Sequence, residues 1–449
     1  MKKTLASLLP LLLLSACHRP STFTPADEYP DIFPDYIGVT IPEGLAPLTF
    51  AMADGRKCEQ ERWQQGDTIW YAVKAWNKGA KIGTIYRPFP VYISHDPIDA
   101  YLAYRLIEPG YESWCDMGIY QRELASYRET PIVTNRANNR GCINCHTFDP
   151  SHRDRMLFHA RGAGGGTVFI EGDDTQLINL KECGPGKQGV YPACHPNGCW
   201  VVFSSNNTHQ CFPLGDPQAV EVYDVASDII LMDLNNDSII APSHLNTEEI
   251  WETFPTWAPD GRTLYYCAAD SVLPMPYDRS RLHYRLLRIG FDATSGTFDA
   301  APDTLSLPFP SNECSVSLPR ISPDGRWLLY TLAAYGTFPI WHREADLWML
   351  DLETGRHRPC TELNSPDTES YHSWSSNGRW IVFSSRRLDG RYTRLFIAHH
   401  DGAGHFSKPF LLPQHRPDHN TLRMQSYNIP EFVQSEIPPL QRQVKKMFK

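Results

Sequence analysis

Two cysteines and a histidine stand at a spacing that suits covalent attachment of a prosthetic group. They form the pentapeptide Cys142-Ile143-Asn144-Cys145-His146. Two thiols separated by two residues can each form a thioether with one vinyl group of a single haem, and the histidine that follows can give its imidazole to the iron. The sequence therefore predicts one covalent haem c, with Cys142 and Cys145 as tethers and His146 as the proximal iron ligand.

The sixth iron ligand is less well defined by the sequence. His159 is the candidate that we name, and the competing interpretation is that it is a packed strand residue. Other side chains of a suitable type are His152, Met156, His195 and the more distant Met117. Two axial ligands favour electron transfer, whereas a missing sixth ligand leaves an open iron that allows small-molecule chemistry.

The pentapeptide also has a simpler interpretation. A disulfide between Cys142 and Cys145, or two structural cysteines beside a surface histidine, requires no cofactor. Several arginines flank the motif and could pair with haem propionates, although the default interpretation is a solvated loop. These are Arg136, Arg140, Arg153 and Arg155.

The N-terminus indicates export and lipid anchoring. Lys2 and Lys3 precede an apolar run over residues 5–14, and Leu14-Ser15-Ala16-Cys17 matches a lipobox. The run is shorter than the ~20 residues that cross a bilayer, so we interpret it as a signal peptide. We expect residues 1–16 to be removed, Cys17 to carry a lipid and residues 17–35 to form a tether. The chain is then an envelope protein that faces the periplasm, with the outer membrane as the favoured anchor site.

The twelve cysteines agree with an oxidising compartment, where disulfides persist. Once Cys17, Cys142 and Cys145 are set aside, nine remain, and an odd number leaves at least one thiol free. Cys194 and Cys199 are close enough in sequence to be a candidate pair. Covalent haem attachment takes place outside the bacterial cytoplasm, so the export signal also supports the haem prediction.

The sequence predicts that residues 36–140 form a small β-rich N-terminal domain. Short β-branched and aromatic runs bounded by Gly, Pro or Asp occur at residues 37–41, 68–73 and 83–86. Residues 100–108 fit a helix or a strand. The aromatic side chains of this region are interpreted as core.

The second part of the chain is organised by an internal repeat. Residues 191–203, 254–266, 318–330 and 371–383 align without gaps, and each contains Pro-Asp-Gly, Asn-Gly or a close variant between two hydrophobic runs. Such a sequence predicts a tight hairpin turn in which the glycine accepts positive φ. With the strand that follows, each unit supplies about four short strands, which is one propeller blade.

These units resemble the Pro-Asp-Gly repeats of TolB-type β-propellers. The resemblance implies an all-β chain with a propeller over residues 161–433, of five to seven blades with six favoured. A partial unit precedes residue 190, and residues 426–433 could supply the strand that closes the ring. The haem segment, residues 141–160, then lies at the junction of the two regions, and residues 434–449 form a C-terminal tail.

The composition of the chain and the lack of several catalytic motifs reduce the number of candidate functions. A net charge of −9 without a long basic run gives no support for nucleic-acid binding. No Gly-x-Ser-x-Gly elbow, P-loop or His-Glu-x-x-His motif occurs. The favoured hypothesis is a single-haem cytochrome acting in electron transfer or redox sensing with a redox partner. The alternatives are a TolB-like envelope protein that binds partner proteins without haem and, with less support, a propeller enzyme acting on carbohydrate.

Overall fold

The computed structural model describes residues 19–108, 116–162, 164–180, 189–214 and 220–448. The chain divides into a smaller unit, residues 1–38 and 50–91, and a larger unit, residues 39–49 and 92–449. The lipobox and Cys17 lie outside the described residues, so lipid anchoring stays a prediction.

The smaller unit is built on an antiparallel sheet with one parallel edge. The first eight strands of the chain are β1 (Thr22–Pro25), β2 (Ile32–Phe33), β3 (Thr40–Pro42), β4 (Ala51–Met52), β5 (Lys57–Gln65), β6 (Thr68–Trp76), β7 (Ile82–Ile85) and β8 (Phe89–Ser94). The order β1-β7-β6-β8 forms the sheet, β5 also pairs with β6, and β2 pairs with β4. The side chains of β6 alternate between buried and half-buried positions, as expected of a strand with one face on a core.

Three aromatic rings from separate segments form the core of the smaller unit. Phe50 lies edge-on to Tyr71 and Phe89 at 5.4 and 5.6 Å, and Tyr71 stacks on Phe89. The prediction that the aromatic residues of this region are core therefore holds for these three. β3 belongs to the larger unit and pairs in parallel with the last residues of β8.

The larger unit is a six-bladed β-propeller. Its remaining strands are β9 (Tyr101–Ile107), β10 (Gly118–Glu123), β11 (Glu129–Thr134), β12 (Ile143–Phe148), β13 (Arg155–Ala160), β14 (Gly166–Glu171), β15 (Asp174–Ile178), β16 (Val190–Cys194), β17 (Trp200–Cys211), β18 (Glu221–Asp233), β19 (Ser238–Ile240), β20 (Ile250–Trp257), β21 (Thr263–Asp270), β22 (Arg285–Asp292), β23 (Thr297–Phe298), β24 (Asp303–Thr304), β25 (Ser315–Ile321), β26 (Trp327–Ala333), β27 (Asp346–Asp351), β28 (Arg356–Pro359), β29 (Glu369–Trp374), β30 (Trp380–Ser385), β31 (Arg394–His399), β32 (Phe410–Leu411) and β33 (Ser426–Val433). Two short helices are α1 (His419–Leu422) and α2 (Gln441–Met447).

Six sheets make the six blades. Blade one is β33-β9-β10-β11, blade two is β12–β15, blade three is β16–β19, blade four is β20–β24, blade five is β25–β28 and blade six is β29–β32. The first strands of successive blades contact each other around a closed ring, from β12 through β16, β20, β25 and β29 to β33 and back to β12. The predicted propeller and its favoured blade number are thus confirmed.

The C-terminal strand closes the ring. β33 pairs antiparallel with β9, so Ser426 lies opposite Ile107 and Val433 lies opposite Tyr101. Blade one therefore joins the two ends of the larger unit, as the predicted closing strand requires. The ambiguous segment at residues 100–108 is a strand.

The first strand of every blade carries a β-bulge at the same place. The register shifts there, and a non-glycine residue adopts positive φ: Cys145 (50°), Tyr191 (50°), Phe254 (52°), Leu318 (54°), Tyr371 (43°) and Ile429 (51°). A bulge bends its strand and redirects its side chain. The predicted hairpin glycines Gly198, Gly261, Gly325 and Gly378 also have positive φ.

Several observed boundaries differ from the predicted ones. Residues 101–134 are three strands of blade one, although the sequence assigns them to the N-terminal domain, and residues 141–160 lie within blade two rather than at a junction. The predicted tether contains β1 and β2. The predicted tail contains α2, whose Val444 is buried in the cluster that includes Ile143 and Met156. Apolar packing holds this helix in place, and no repeat in the sequence predicts it.

Candidate functional site

The Cys-x-x-Cys-His motif lies on the innermost strand of blade two. Cys142 immediately precedes β12, and Cys145 occupies the bulge position of that strand. The equivalent bulge residues of the other five blades are Tyr191, Phe254, Leu318, Tyr371 and Ile429. Because these strands contact one another in a ring, the second motif cysteine lies on the wall of the propeller channel.

Both motif cysteines line one cavity of about 280 Å³ at the end of the channel where the innermost strands begin. Its walls also present aromatic and aliphatic surface, from Tyr191, Phe338, Ile340, Trp341, Tyr371 and Ile429. A mostly apolar cleft with a few convergent polar groups is typical of a cofactor or small-molecule site.

Four arginines give the cavity a cationic character. They are Arg105, Arg161, Arg386 and Arg391, and Glu108 is the one acidic residue among the described lining residues. Arg105 is 9% exposed, and its Nε is buried without a hydrogen-bond partner. Arginine recognises carboxylates and phosphates through paired hydrogen bonds, so the cavity suits a ligand with anionic groups.

Cys145 is a neutral thiol at neutral pH. Burial raises its pKa above the ordinary value, and Arg105 and Arg161 only partly offset this effect. Burial likewise raises the pKa of Tyr371, at the bulge of blade six, to about 12. The Cys145 thiol and the Tyr371 phenol are thus both uncharged at neutral pH.

His146 lies one residue beyond the bulge and is buried, with 2% of its surface exposed. Burial and the nearby Arg105 charge lower its pKa to about 3, while the backbone of Ile429 opposes them. Neither ring nitrogen makes a hydrogen bond of normal geometry. The imidazole is therefore neutral and has a free electron pair, but the ring is not part of the described cavity wall.

The structure does not bring His159 to the cavity. This residue lies on β13, opposite Asn144 of β12 and Thr167 of β14, and is 6% exposed. The other candidates have structural contacts as well. Met156 packs in the core of the first blades, and Met117 Sδ accepts a hydrogen bond from the Ile143 N–H at 3.2 Å.

The two remaining histidine candidates are also engaged. His152 Nδ1 lies 3.5 Å from Asp149 Oδ2. His195, on the turn of blade three, contacts Asn197 Oδ1 at 2.7 Å and the Gly261 carbonyl at 2.8 Å. Neither histidine lines the cavity that contains Cys142 and Cys145.

Two of the flanking arginines are held by acidic partners. Arg155 pairs with Asp149 at 3.0 Å and Glu171 at 2.7 Å, and Arg136 lies 3.4 Å from Asp116. None of Arg136, Arg140, Arg153 and Arg155 lines the cavity with the two cysteines. The arginines that do line it come from β9, the residue after β13, and the segment between β30 and β31, and no local pattern near the motif identifies them.

A second cavity of about 460 Å³ lies on the other side of the ring of bulges. Glu431 and Arg320 line it, each two residues beyond the bulge of its strand. Burial raises the pKa of Glu431 to about 7 against the opposing charge of Arg320. The Phe148 N–H donates to Glu431 Oε2 at 3.1 Å, which ties the end of the motif strand to β33.

The described cysteines are all free thiols: Cys58, Cys142, Cys145, Cys194, Cys199, Cys211, Cys267, Cys314 and Cys360. The candidate Cys194–Cys199 disulfide is therefore not formed, and neither is the alternative bond between Cys142 and Cys145. No group of three or more metal-binding side chains occurs within the described part of the chain. Among the same residues, no helix is long and apolar enough to cross a membrane.

Comparisons with known proteins give similarity to solved structures only. No family model and no curated protein matches the chain. TolB from Acinetobacter baumannii is 14% identical, with 84% of this chain and 82% of that chain covered and a TM-score of 0.48. Kuenenia stuttgartiensis hydrazine synthase is 13% identical over 58% of this chain and 64% of that chain, with a TM-score of 0.35.

A Mycobacterium tuberculosis puromycin-hydrolyzing peptidase is 12% identical over 84% of this chain and 57% of that chain, with a TM-score of 0.39. At these identities the likeness concerns the fold.

Proposed function

We propose that this chain is a lipid-anchored, periplasm-facing c-type cytochrome that holds one haem in its propeller channel and acts in electron transfer or redox sensing. The observation that carries the proposal is that Cys142 and Cys145 line the same cationic, partly apolar cavity.

The two motif cysteines, which line one cavity, suit the two thioether bonds of a covalently bound haem. Each thiol would add across one vinyl group: sulfur would bond to one vinyl carbon and the thiol proton would go to the other, so that no oxidant would be consumed. His146 is neutral, as a histidine must be before it binds iron. Because its ring lies behind the cavity wall, ligation requires the His146 side chain to turn into the cavity.

The arginines supply the countercharge. Haem carries two propionates, and Arg105, Arg161, Arg386 and Arg391 can pair with them from the cavity wall. The bound group supplies one-electron chemistry, and the protein binds it, orients it and sets its electrostatic surroundings. No acid–base constellation is needed for this role, and we therefore favour an electron-transfer or binding protein over an enzyme.

A second candidate function is binding of partner proteins in the envelope without haem, as for a TolB-like protein. One observation favours it. His146 occupies the same place in blade two as His372 in blade six, a blade that has no neighbouring cysteine pair. A histidine at this position can therefore serve packing alone.

Staining for covalent haem separates the two candidates. The chain is expressed with a cytochrome c maturation system, and a denaturing gel is stained for haem. We expect a stained band for the wild type and for Cys58→Ala, a matched cysteine variant in the smaller unit, and none for the double variant Cys142→Ala/Cys145→Ala. A colourless wild-type band, or a double variant that still stains, contradicts the haem proposal.

A further inference from the structure

The second cavity, of about 460 Å³, receives one residue from each blade at the same position of the innermost strand. This position lies two residues beyond the positive-φ bulge, and in blades one to six it is occupied by Glu431, Thr147, Ala193, Thr256, Arg320 and Ser373. The repeat thus builds a ring in which one acidic and one basic side chain stand among three hydroxyls and a methyl group. A cleft of this size is typical of a small-molecule site.

Within the described part of the chain, neither arginine of this cavity has an acidic partner in ion-pair contact. Among the same residues, the guanidinium of Arg320 donates only to the carbonyl of its neighbour Pro319, at 3.1 Å. Arg153, the second arginine, is exposed. Burial lowers the pKa of Arg320 and the charge of Glu431 opposes this effect, but the guanidinium stays charged at neutral pH. The cavity therefore contains positive charge that no direct ion pair neutralises.

The two aspartates of the cavity are, in contrast, held by other protein groups. Asp149 pairs with Arg155, which lies outside the cavity wall, at 3.0 Å. Asp99 accepts hydrogen bonds from the N–H and the hydroxyl of Ser376 at 2.7 and 2.6 Å. Their carboxylates are thus engaged and do not compete for the two free arginines.

Glu431 is the acid whose charge acts on Arg320, and it is also engaged. Its Oε2 accepts a hydrogen bond from the Phe148 N–H at 3.1 Å. Burial raises its pKa to about 7, so only part of the Glu431 population is charged at neutral pH. An anionic ligand therefore meets limited competition for the Arg320 guanidinium.

Two tryptophans give the cavity fixed apolar walls. Trp257 Nε1 donates to the Ala193 carbonyl at 3.1 Å, and Trp374 Nε1 donates to the Arg320 carbonyl at 3.2 Å. Each bond joins a tryptophan to the ring position of the preceding blade, so both indoles are held in place before a ligand binds, which lowers the entropic cost of binding. Further apolar surface comes from Pro192, Pro259, Ile321, Pro323, Phe432 and Val433.

We propose that this cavity binds a small organic carboxylate with an apolar body. The Arg320 guanidinium pairs with the carboxylate, for which its planar fork of donors is well suited, and the tryptophans contact the apolar body. A carboxylate is favoured over a phosphate because Glu431 shares the ring and repels a doubly charged anion more strongly than a singly charged one. The proposal does not rest on haem binding, since none of the three motif residues lines this cavity.

Isothermal titration calorimetry of the purified full chain with phenylacetate tests the proposal. Phenylacetate should bind the wild type in the millimolar range or more tightly, and the uncharged phenylacetamide should bind about tenfold more weakly because it lacks the charge-assisted pair with Arg320. Arg320→Gln should weaken phenylacetate binding about tenfold and leave phenylacetamide binding unchanged. Arg288→Gln, an exposed arginine paired with Asp303 outside the cavity, is the matched control and should bind as the wild type does.

A second variant keeps the test decisive if Arg320→Gln does not fold. Ala193→Phe retains Arg320 but fills part of the cavity, so it should weaken the binding of phenylacetate and phenylacetamide alike. Three results overturn the proposal: no binding of phenylacetate to the wild type, equal affinities for phenylacetate and phenylacetamide, or wild-type affinity for phenylacetate in either variant. Tighter binding of phenyl phosphate than of phenylacetate overturns the assignment of a carboxylate.

Discussion

His146 and His372 occupy the same position in their blades, one residue beyond the positive-φ bulge, yet only His372 makes a hydrogen bond of normal geometry. His372 Nε2 donates to the Leu329 carbonyl at 2.9 Å, while neither ring nitrogen of His146 makes such a bond. Burial lowers the pKa of each imidazole to about 3, so both rings are neutral. The repeat thus provides two equivalent histidines, one used for structure and one available for a ligand.

The first prediction follows from this difference. In protein made without haem, His372→Ala should lower the free energy of unfolding by about 1–3 kcal/mol more than His146→Ala does, because it also removes a buried hydrogen bond. Urea denaturation of the two variants and the wild type measures this. Equal losses of unfolding free energy in the two variants would contradict a stabilising role for the His372 hydrogen bond.

The second prediction concerns Arg105. A guanidinium beside the haem disfavours the more positive ferric state, so Arg105→Gln should lower the reduction potential by about 60 mV, a tenfold change in the one-electron equilibrium. Potentiometric titration of the haem-loaded chain measures the shift. Arg136→Gln, which changes an arginine paired with Asp116 outside the cavity, should leave the potential unchanged. Equal shifts in the two variants argue against a role for Arg105 at the haem.

The third prediction concerns Glu431, whose pKa burial raises to about 7. Since the folded state holds this proton more tightly than the unfolded state, the Glu431 contribution to stability falls as pH rises from about 4.5 to about 7 and then levels off. Glu431→Gln should therefore be about as stable as the wild type at pH 5 and more stable by about 1–3 kcal/mol at pH 8. Denaturation at both values tests this, and a difference that is the same at pH 5 and pH 8 contradicts it.

The fourth prediction concerns His342, a buried residue beside Glu221 of β18. Burial alone lowers its pKa, but hydrogen bonds to Glu221 at 3.4 Å and Glu344 at 3.2 Å outweigh burial and raise the pKa to about 9. Its stabilising contribution is complete below about pH 6.5 and is lost as pH rises through about 9.

His342→Gln should therefore be less stable than the wild type by about 1–3 kcal/mol at pH 6, with the difference shrinking between pH 6.5 and pH 9. Thermal or urea unfolding across this range measures the trend. The exposed variant His405→Gln, whose ring pairs with Asp401 at the surface, should show little effect at any of these pH values. A His342→Gln deficit that grows with pH contradicts the assigned ion pair.

The repeat in the sequence predicts blades three to six of the propeller but not blades one and two. Blades three to six each carry the hairpin glycine, so their strands could be aligned. Blade one combines β33 with strands about 300 residues earlier in the chain, and blade two replaces the usual turn with residues 149–154. Neither arrangement contains the local repeat pattern, so the sequence predicts an N-terminal domain that is longer than the observed one.

The candidate site was predictable only where its residues are neighbours in sequence. The spacing of Cys142, Cys145 and His146 identifies the motif by itself. Arg105, Arg386 and His209 reach the cavity from β9, the residue after β30 and β17, and only the closed ring of blades brings them together.

The central claim is that one haem is bound covalently through Cys142 and Cys145. The intact mass of the chain, matured with the cytochrome c system and denatured before measurement, tests it most directly. We predict a gain equal to one haem, located by proteolysis on the peptide that contains both cysteines. An unmodified mass for that peptide in the mature protein would contradict the claim.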